Sequence, residues 1–435
     1  MSAANVFCNF KRRSSKAREL ATQKNMKTTN HKWSRRKFIT SISGTGAAIL
    51  LNPLWTRAIN DDDPRIAKIV ANTIGIDTHN HIDVPLDKTE LPGPKLDLSA
   101  QLKQSGLSAI VMTFATDYKR NVQPGEAYER FLNGLGGMDK ALSDNNMKRA
   151  LNLADIKNAH KKHTPTVIQS VEGCHFLEGK LERVQEAYNR GLRHLGLLHD
   201  SDASVPLGDV YTNPAQFGGL TNTGTQVIKE CNRLGMLIDL THGSNDTINA
   251  ALKITTQPII ISHTGLDTQT GSNEMMAKMM RPRLIGKEQA KIVADAGGVI
   301  GVWTHLADTP LEYAQNIRAL VDLIGVDHVC VGTDTKLTAA YHSSKDFGGP
   351  TNNNAPGSNA TNKPEDDKQH NKMFNPPANG KRVGERTNEV WAEQKNGFYY
   401  TVVDALLKTG FTEEEIGKIG GGNYCRVFDA ATSGR

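Results

Sequence analysis

Seven residues in this 435-residue chain carry groups that bind metals or move protons, and each stands at or just beyond an apolar run: His79, His81, Glu172, His199, His242, His263 and Asp334. The first two lie in Asp77-Thr78-His79-Asn80-His81. Side chains two apart on a strand point the same way, so both imidazoles can project together. H-x-H alone is a weak motif, and an exposed pair reads the same. The others occur in Val171-Glu172-Gly173-Cys174-His175, at His199, in Thr241-His242, in Ser262-His263 and at Asp334. Imidazole and carboxylate suit zinc and similar divalent ions. Four imidazoles around one glutamate suffice for two ions bridged by that carboxylate. A hydroxide shared by ions about 3.5–4 Å apart is nucleophilic at neutral pH. Any one of these histidines reads as a core or surface residue; their joint placement points to a site.

Short apolar runs are expected to be the strands that carry them: Thr73–Asp77, Ser108–Phe114, Thr166–Val171, His194–Leu198, Leu237–Leu240, Pro258–Ser262, Gly298–Val302 and His328–Gly332. Amphipathic stretches lie between them, among them Leu98–Gln104, Leu181–Arg190, Thr225–Leu234, Lys287–Ala296 and Leu311–Leu323. Eight strands alternating with helices indicate an α/β fold, a (β/α)8 TIM barrel. A doubly wound open sheet is the competing architecture, but it gives no reason for ligand-type residues after nearly every strand. In a parallel barrel they all converge on the C-terminal rim. Residues 343–381, rich in Asn, Pro, Gly and Lys, form a long insertion after the last barrel strand, either a lid over the site or a solvated excursion. Near the C-terminus, Thr412 reads as an N-cap with Glu415 completing a capping box, opening a helix toward Phe428.

The formal charge is +6, which suggests an anionic partner until its distribution is examined. Residues 1–58 hold twelve Lys/Arg against one acid, Glu19, while the rest carries 40 basic and 45 acidic residues. The body of residues 59–435 is thus mildly acidic and has no basic stripe, which argues against nucleic acid as a partner. Five cysteines with no C-x-x-C pair exclude a disulfide scaffold and a cysteine-rich zinc module. Within the leader, Ser34-Arg35-Arg36-Lys37-Phe38-Ile39-Thr40 precedes a weakly apolar stretch, Ser41 to Leu51. This resembles a twin-arginine export signal. The stretch is shorter than the ~20 apolar residues of a membrane span. Thr56-Arg57-Ala58 offers a small residue for cleavage, and translation from Met26 instead of Met1 gives a more ordinary signal length. The expected location is the periplasm or cell envelope, with the twin-arginine translocation machinery as a partner. That route carries folded proteins, often with a cofactor loaded, as suits a metalloenzyme.

The order H-x-[H/D], V-E-G-x-H, L-x-L-x-H, L-I-D-L-T-H, P-I-I-I-S-H, P-R and G-x-D resembles the membrane (renal) dipeptidase family of the amidohydrolase superfamily. The similarity runs from about Ile76 to Phe428, with Ser170–His175, Ile238–His242, Ile261–His263 and Gly422–Phe428 its most specific segments. It implies a metallo-dipeptidase that hydrolyses dipeptides, tolerates a C-terminal D-residue and uses a metal-bridging hydroxide on a pair of divalent ions, Zn2+ above all. By position, His79 and His81 would hold the first zinc, Glu172 would bridge, and His242 and His263 would hold the second. His199 matches the histidine at the scissile carbonyl, Asp334 the acid that moves the proton, and Arg283 the arginine that grips the substrate carboxylate. Arg281 competes with Arg283 for that match. Family members are often homodimers.

Two departures stand out. The family usually has H-x-D on the first strand, and His81 here removes a negative charge from the first site. After Asp334 the family tends to continue F-D-G, whereas this chain reads Thr335-Lys336-Leu337. Substrate-facing loops are therefore not carried over. The alternative activity is the same site acting on another amide or ester, such as an N-acyl amino acid or a lactone. From another class, an envelope binding protein with a vestigial site predicts missing ligands, and every ligand position is filled.

Overall fold

The computed structural model describes residues 64–117, 123–341 and 383–433. The leader with its twin-arginine segment and the 343–381 insertion lie outside the described residues. The described segments belong to one unit, Ile59–Arg435.

Among the described residues nine strands form one all-parallel sheet: β1 (Ile76–His81), β2 (Ala109–Thr113), β3 (Thr166–Val171), β4 (Leu192–Gly196), β5 (Leu237–Asp239), β6 (Ile260–Thr264), β7 (Val299–Val302), β8 (Val329–Val331) and β9 (Thr335–Lys336). Neighbours from β1 to β8 follow chain order, and β9 pairs with the free side of β1. β8 and β9 are separated by only three residues, so one stretch of chain pairs first with β7 and then with β1. Asp334 N–H donates to the His79 carbonyl at 3.1 Å across the join. The sheet thereby closes into an α/β barrel. A run of apolar and β-branched residues such as Ala109–Thr113 is buried throughout, as a strand covered on both faces requires.

The helices lie between the strands. Their ends are fixed locally: Thr309 and Glu312 form a capping box with Pro310 at the first position of Pro310–Ile324, and Ser244 and Thr221 cap the helices that follow them. The Thr412–Glu415 capping box is present as expected, and the chain then runs through Lys418–Gly422 into the helix Asn423–Thr432. That last helix lays Tyr424, Val427 and Phe428 against Ile76, Ala109, Leu237, Ile260 and Val299, the first residues of five strands. The N-terminal mouth of the barrel is therefore plugged with apolar side chains, and ligand chemistry is confined to the other end.

The barrel interior is tight around one carbonyl. Thr78 Oγ1 lies 2.8 Å from the Ser262 carbonyl and 3.0 Å from that of Val331. A Cβ added at Gly301 or Gly332 would fall 1.9 or 1.8 Å from the same Ser262 oxygen, so these strands meet only because neither has a side chain there.

Several expected boundaries shift. The first strand, expected to end at Asp77, runs from Ile76 to His81 and so contains the H-x-H pair. Asp77 is buried inside it and accepts from Thr333 N–H and Thr333 Oγ1 at 2.8 and 2.6 Å, which makes a carboxylate compatible with a strand interior. Strand four, expected at His194–Leu198, is Leu192–Gly196, leaving His199 three residues beyond it. β9 was not expected, because two polar residues carry no apolar pattern.

Gly332→Ala is expected to destabilise the fold by about 3 kcal/mol or more through overpacking. Gly136→Ala, on an exposed helical position with open space around it, is expected to stabilise by up to about 1 kcal/mol. Denaturant unfolding of both variants checks the pair; a Gly332 variant as stable as the parent would contradict the tight interior.

Candidate metal centre

At the C-terminal end of the barrel, the strand register brings all the expected imidazoles onto one carboxylate. His79 and His81, two apart on β1, aim their Nε2 atoms at each other's side, 3.2 Å apart. Glu172 follows β3 and is 3% exposed. His242 Nε2 lies 2.8 Å from Glu172 Oε1, with His79 and His263 Nε2 at 3.4 and 3.6 Å. On the other oxygen, Oε2, His81 and His199 Nε2 lie 3.5 and 3.4 Å away. Asp334 Oδ1 completes the rim, 3.3 Å from His81 Nε2 and 3.8 Å from His79 Nε2.

Local structure explains how these side chains are held. Ser262 on β6 gives its hydroxyl proton to Asp239 Oδ2, leaving its lone pairs for the Nδ1–H of His263 and of His79 at 3.0 and 3.3 Å. His242 Nδ1–H donates to Asp200 Oδ1 at 3.0 Å, and His199 Nδ1–H to Asp117 Oδ1 at 2.6 Å. The Nδ1 sides of His79, His263, His242 and His199 are thus anchored outward so that Nε2 turns toward the centre, which is how outer partners orient metal-binding histidines. His242 and Asp334 hold φ of 69° and 54°, left-handed values uncommon for residues with a Cβ and enriched at functional sites.

Electrostatics follow from the crowding. Burial alone would raise the Glu172 and Asp334 carboxyls; the surrounding imidazoles outweigh it and hold both well below the ordinary range. Burial would lower His79, but Glu172 and Asp334 hold it up, at about 9. His199 is raised to about 10 against the pull of burial, by Glu172 and Asp117. Asp117, which burial would raise, is held at about 2 by the His199 and His175 imidazoles and the Ser201 hydroxyl. His263 goes the other way, lowered by burial and by His79 beside it.

The donor set fits divalent cations. His79–His81–Glu172, Glu172–His199–His242 and His79–His263–Asp334 each bring three ligand atoms within 4.8 Å of one another. Oε2 of the buried Glu172 makes no hydrogen bond, which is costly for a buried carboxylate oxygen unless a cation takes it.

A cavity of about 310 Å³ opens beside the centre, lined by His242, His263, Tyr211, Arg283 and Trp303 among others. Arg283, from the turn Arg281–Arg283, reaches Asp200 with Nη2. Arg281, its competitor by sequence, is exposed and does not line that cavity. Sequence reasoning missed Asp117, Asp200, Tyr211, Asp239 and His305, whose Nε2 lies 2.8 Å from Asp334 Oδ2. Asp117 and Asp200 lie in loops beyond strands, and Asp200 adjoins His199; a search for acids next to ligand-type residues would have found it.

The membrane dipeptidase family (peptidase family M19) matches residues 64–344. The chain belongs to that family. It is therefore a hydrolase of a metallopeptidase family whose members use divalent metal ions. Among curated proteins it is similar to the dipeptidase verJ of Clonostachys rogersoniana, 29% identical over 170 residues, covering 38% of this chain and 41% of that protein. Among solved structures, an amidohydrolase from Pseudomonas aeruginosa shares the fold at TM-score 0.63 and 19% identity, over 84% of this chain and 98% of that one. A metallo peptidase from Rhodobacter sphaeroides, liganded with a phosphinate mimic of L-Ala-D-Ala, does so at TM-score 0.57 and 15% identity, over 82% of this chain and 99% of that one. These likenesses show a shared fold, an α/β barrel, over most of the chain.

Protons and a divalent ion compete for the same Nε2 atoms, so metal affinity is expected to rise with pH toward about 9, the value of His79. The linkage has a definite sign in metal-free protein. A histidine raised from 6.5 to about 9 adds stability that is complete below pH 6.5 and is lost as pH rises through 9. Tm in chelator should therefore fall between pH 6.5 and 9, while the gap to zinc-loaded protein widens. Calorimetric scans across that range check both; parallel pH profiles would contradict the shared site.

Proposed function

We propose that the chain is a zinc dipeptidase that cleaves the peptide bond of dipeptides, those with a C-terminal D-residue included, at a binuclear centre. The observation that carries this is the buried Glu172 ringed by five imidazole Nε2 atoms, within 3.6 Å, with one of its oxygens making no hydrogen bond. Family membership and the dipeptidase name of the verJ relative support it, as does the dipeptide mimic held by the Rhodobacter enzyme.

In this reading His79 and His81 would hold one ion and His242 and His263 the other, with Glu172 contributing to both. Divalent ions there supply Lewis acidity, polarising the scissile carbonyl and making a water acidic enough to attack. The remaining work belongs to the chain. His199, held through Nδ1 by Asp117, presents Nε2–H to the carbonyl oxygen as negative charge develops on it. Asp334, kept ionised by the imidazoles around it, takes a proton from the attacking water and returns it to the leaving amine. His305, on its second oxygen, holds that carboxylate in place. Arg283 lines the adjoining cavity, where its guanidinium can meet the substrate's free carboxylate. His81 in place of the family's aspartate removes one negative charge from the first site, which would change its metal preference or weaken its hold on an ion.

The leader is read as a twin-arginine export signal, which would deliver the folded, metal-loaded enzyme to the cell envelope. Among the described residues no helix is long and apolar enough to cross a membrane.

Glu172→Gln is expected to lower kcat/KM more than about 100-fold and to reduce bound metal; full activity in that variant, with metal measured on the same sample, would sink the binuclear reading. Arg283→Ala is expected to raise KM about 10- to 100-fold for free dipeptides and much less for C-terminally amidated ones. Steady-state kinetics on both substrate types decide this, and equal effects would remove the carboxylate clamp.

A further inference from the structure

The guanidinium that faces the cavity already has a carboxylate partner supplied by the chain. Asp200, the residue after His199, takes Arg283 Nη2 on Oδ2. Its other oxygen accepts from the Tyr211 hydroxyl at 2.7 Å and from His242 Nδ1 at 3.0 Å. Three donors thus fix one carboxylate between a cavity wall and a residue of the metal centre. Asp200 and Arg283 side chains are 34% and 30% exposed, so the pair meets solvent at the cavity edge and is not sealed away. Tyr211, His242 and Arg283 all line that cavity.

A guanidinium has five N–H donors in a flat fork, and Asp200 uses one nitrogen. Among the described residues Asp200 is the one carboxylate paired with Arg283, which leaves an edge of the guanidinium for a second. Its charge is another matter. Any substrate carboxylate docked on that edge lies within a few ångströms of Asp200, well inside the ~8 Å over which charges interact at physiological salt. The attraction of the arginine is offset by repulsion from the aspartate, a repulsive element of the kind that sets specificity. A neutral end, an amide or an ester, meets the same donors without that repulsion.

Resting on the reading of Arg283 as the recogniser of the substrate's C-terminal end, we propose that Asp200 is a specificity-determining residue. It damps the preference for a free carboxylate, so the enzyme takes dipeptides with neutral C-terminal ends alongside free ones.

The test compares kcat/KM for L-Ala-D-Ala and L-Ala-D-Ala amide in zinc-loaded full-length protein, with metal content measured on each variant. The free-to-amide ratio of the parent should be small. Asp200→Asn should raise it about tenfold, chiefly by lowering KM for the free dipeptide. Asp200→Glu, which keeps the charge, should retain the parental ratio. Because each ratio is taken within one protein, partial loss of metal affects both substrates alike. Should Asp200→Asn not fold, Asp200→Ser removes the same charge and should shift the ratio the same way. An unchanged or lowered ratio in the charge-removing variants, with both substrates slowed equally, would overturn the proposal and leave Asp200 only as a support for His242. The outcomes separate from the underlying reading: a parent that cleaves neither substrate defeats the dipeptidase assignment and this proposal with it. An Arg283→Ala variant with the parental ratio defeats the clamp.

Discussion

An ionised carboxylate taken out of water costs several kcal/mol unless opposite charge comes with it. Glu172 imposes that requirement on the whole C-terminal end of the barrel. It is 3% exposed, held ionised, and surrounded by imidazoles drawn from β1, β6 and the segments beyond β4 and β5. His79, His263, His242 and His199 in turn meet acceptors on their far nitrogens, supplied by Asp239 through Ser262, by Asp200 and by Asp117. Negative groups therefore alternate outward with imidazoles from one central carboxylate. Removing any member leaves a buried polar atom without its counterpart, so the arrangement is over-determined in geometry as well as in charge.

The same requirement explains why the barrel is polar at one end and apolar at the other. Tyr424, Val427 and Phe428 fill the N-terminal mouth against the first residues of the strands, so the charged network is confined to the opposite rim. Close packing at Gly301 and Gly332 around the Ser262 carbonyl keeps β6, β7 and β8 at fixed spacing beneath it. The position of Ser262, which orients two of the imidazoles, is thereby set by backbone contacts, not by the site itself.

Much of this was legible in the residues. Apolar runs of five or six residues such as Thr166–Val171 announce strands, and the barrel follows from their alternation with helices. The ligand-type residues were legible too, because each follows such a run in a short motif. What stayed hidden has one physical cause: partners fixed only by tertiary contact. Asp239 closes β5 within a run that reads apolar, and is tolerated there by Thr241, Ser262 and His194. Asp117, 82 residues from His199, leaves no local trace of their pairing. β9 is two polar residues made a strand by tertiary pairing, with the open side of β1 on one edge and with Arg386 on the other. The bounds of the first strand stopped short at Asp77 because Thr78, Asn80 and two histidines carry no apolar pattern, although the H-x-H spacing already placed both imidazoles on a strand.

Closure of the barrel carries a kinetic meaning as well. The bonds that seat Asp334 on His79 and lock Thr333 onto Asp77 join residues 255 and 256 positions apart. Contacts of such sequence separation form late, after the loop between them has been ordered. His79 and His81 therefore meet Asp334 only when the last barrel strand has been made and docked. A nascent chain that ends before Asp334 carries the imidazoles and Glu172 without the carboxylate read here as the proton carrier, so such an amino-terminal fragment is expected to be inactive.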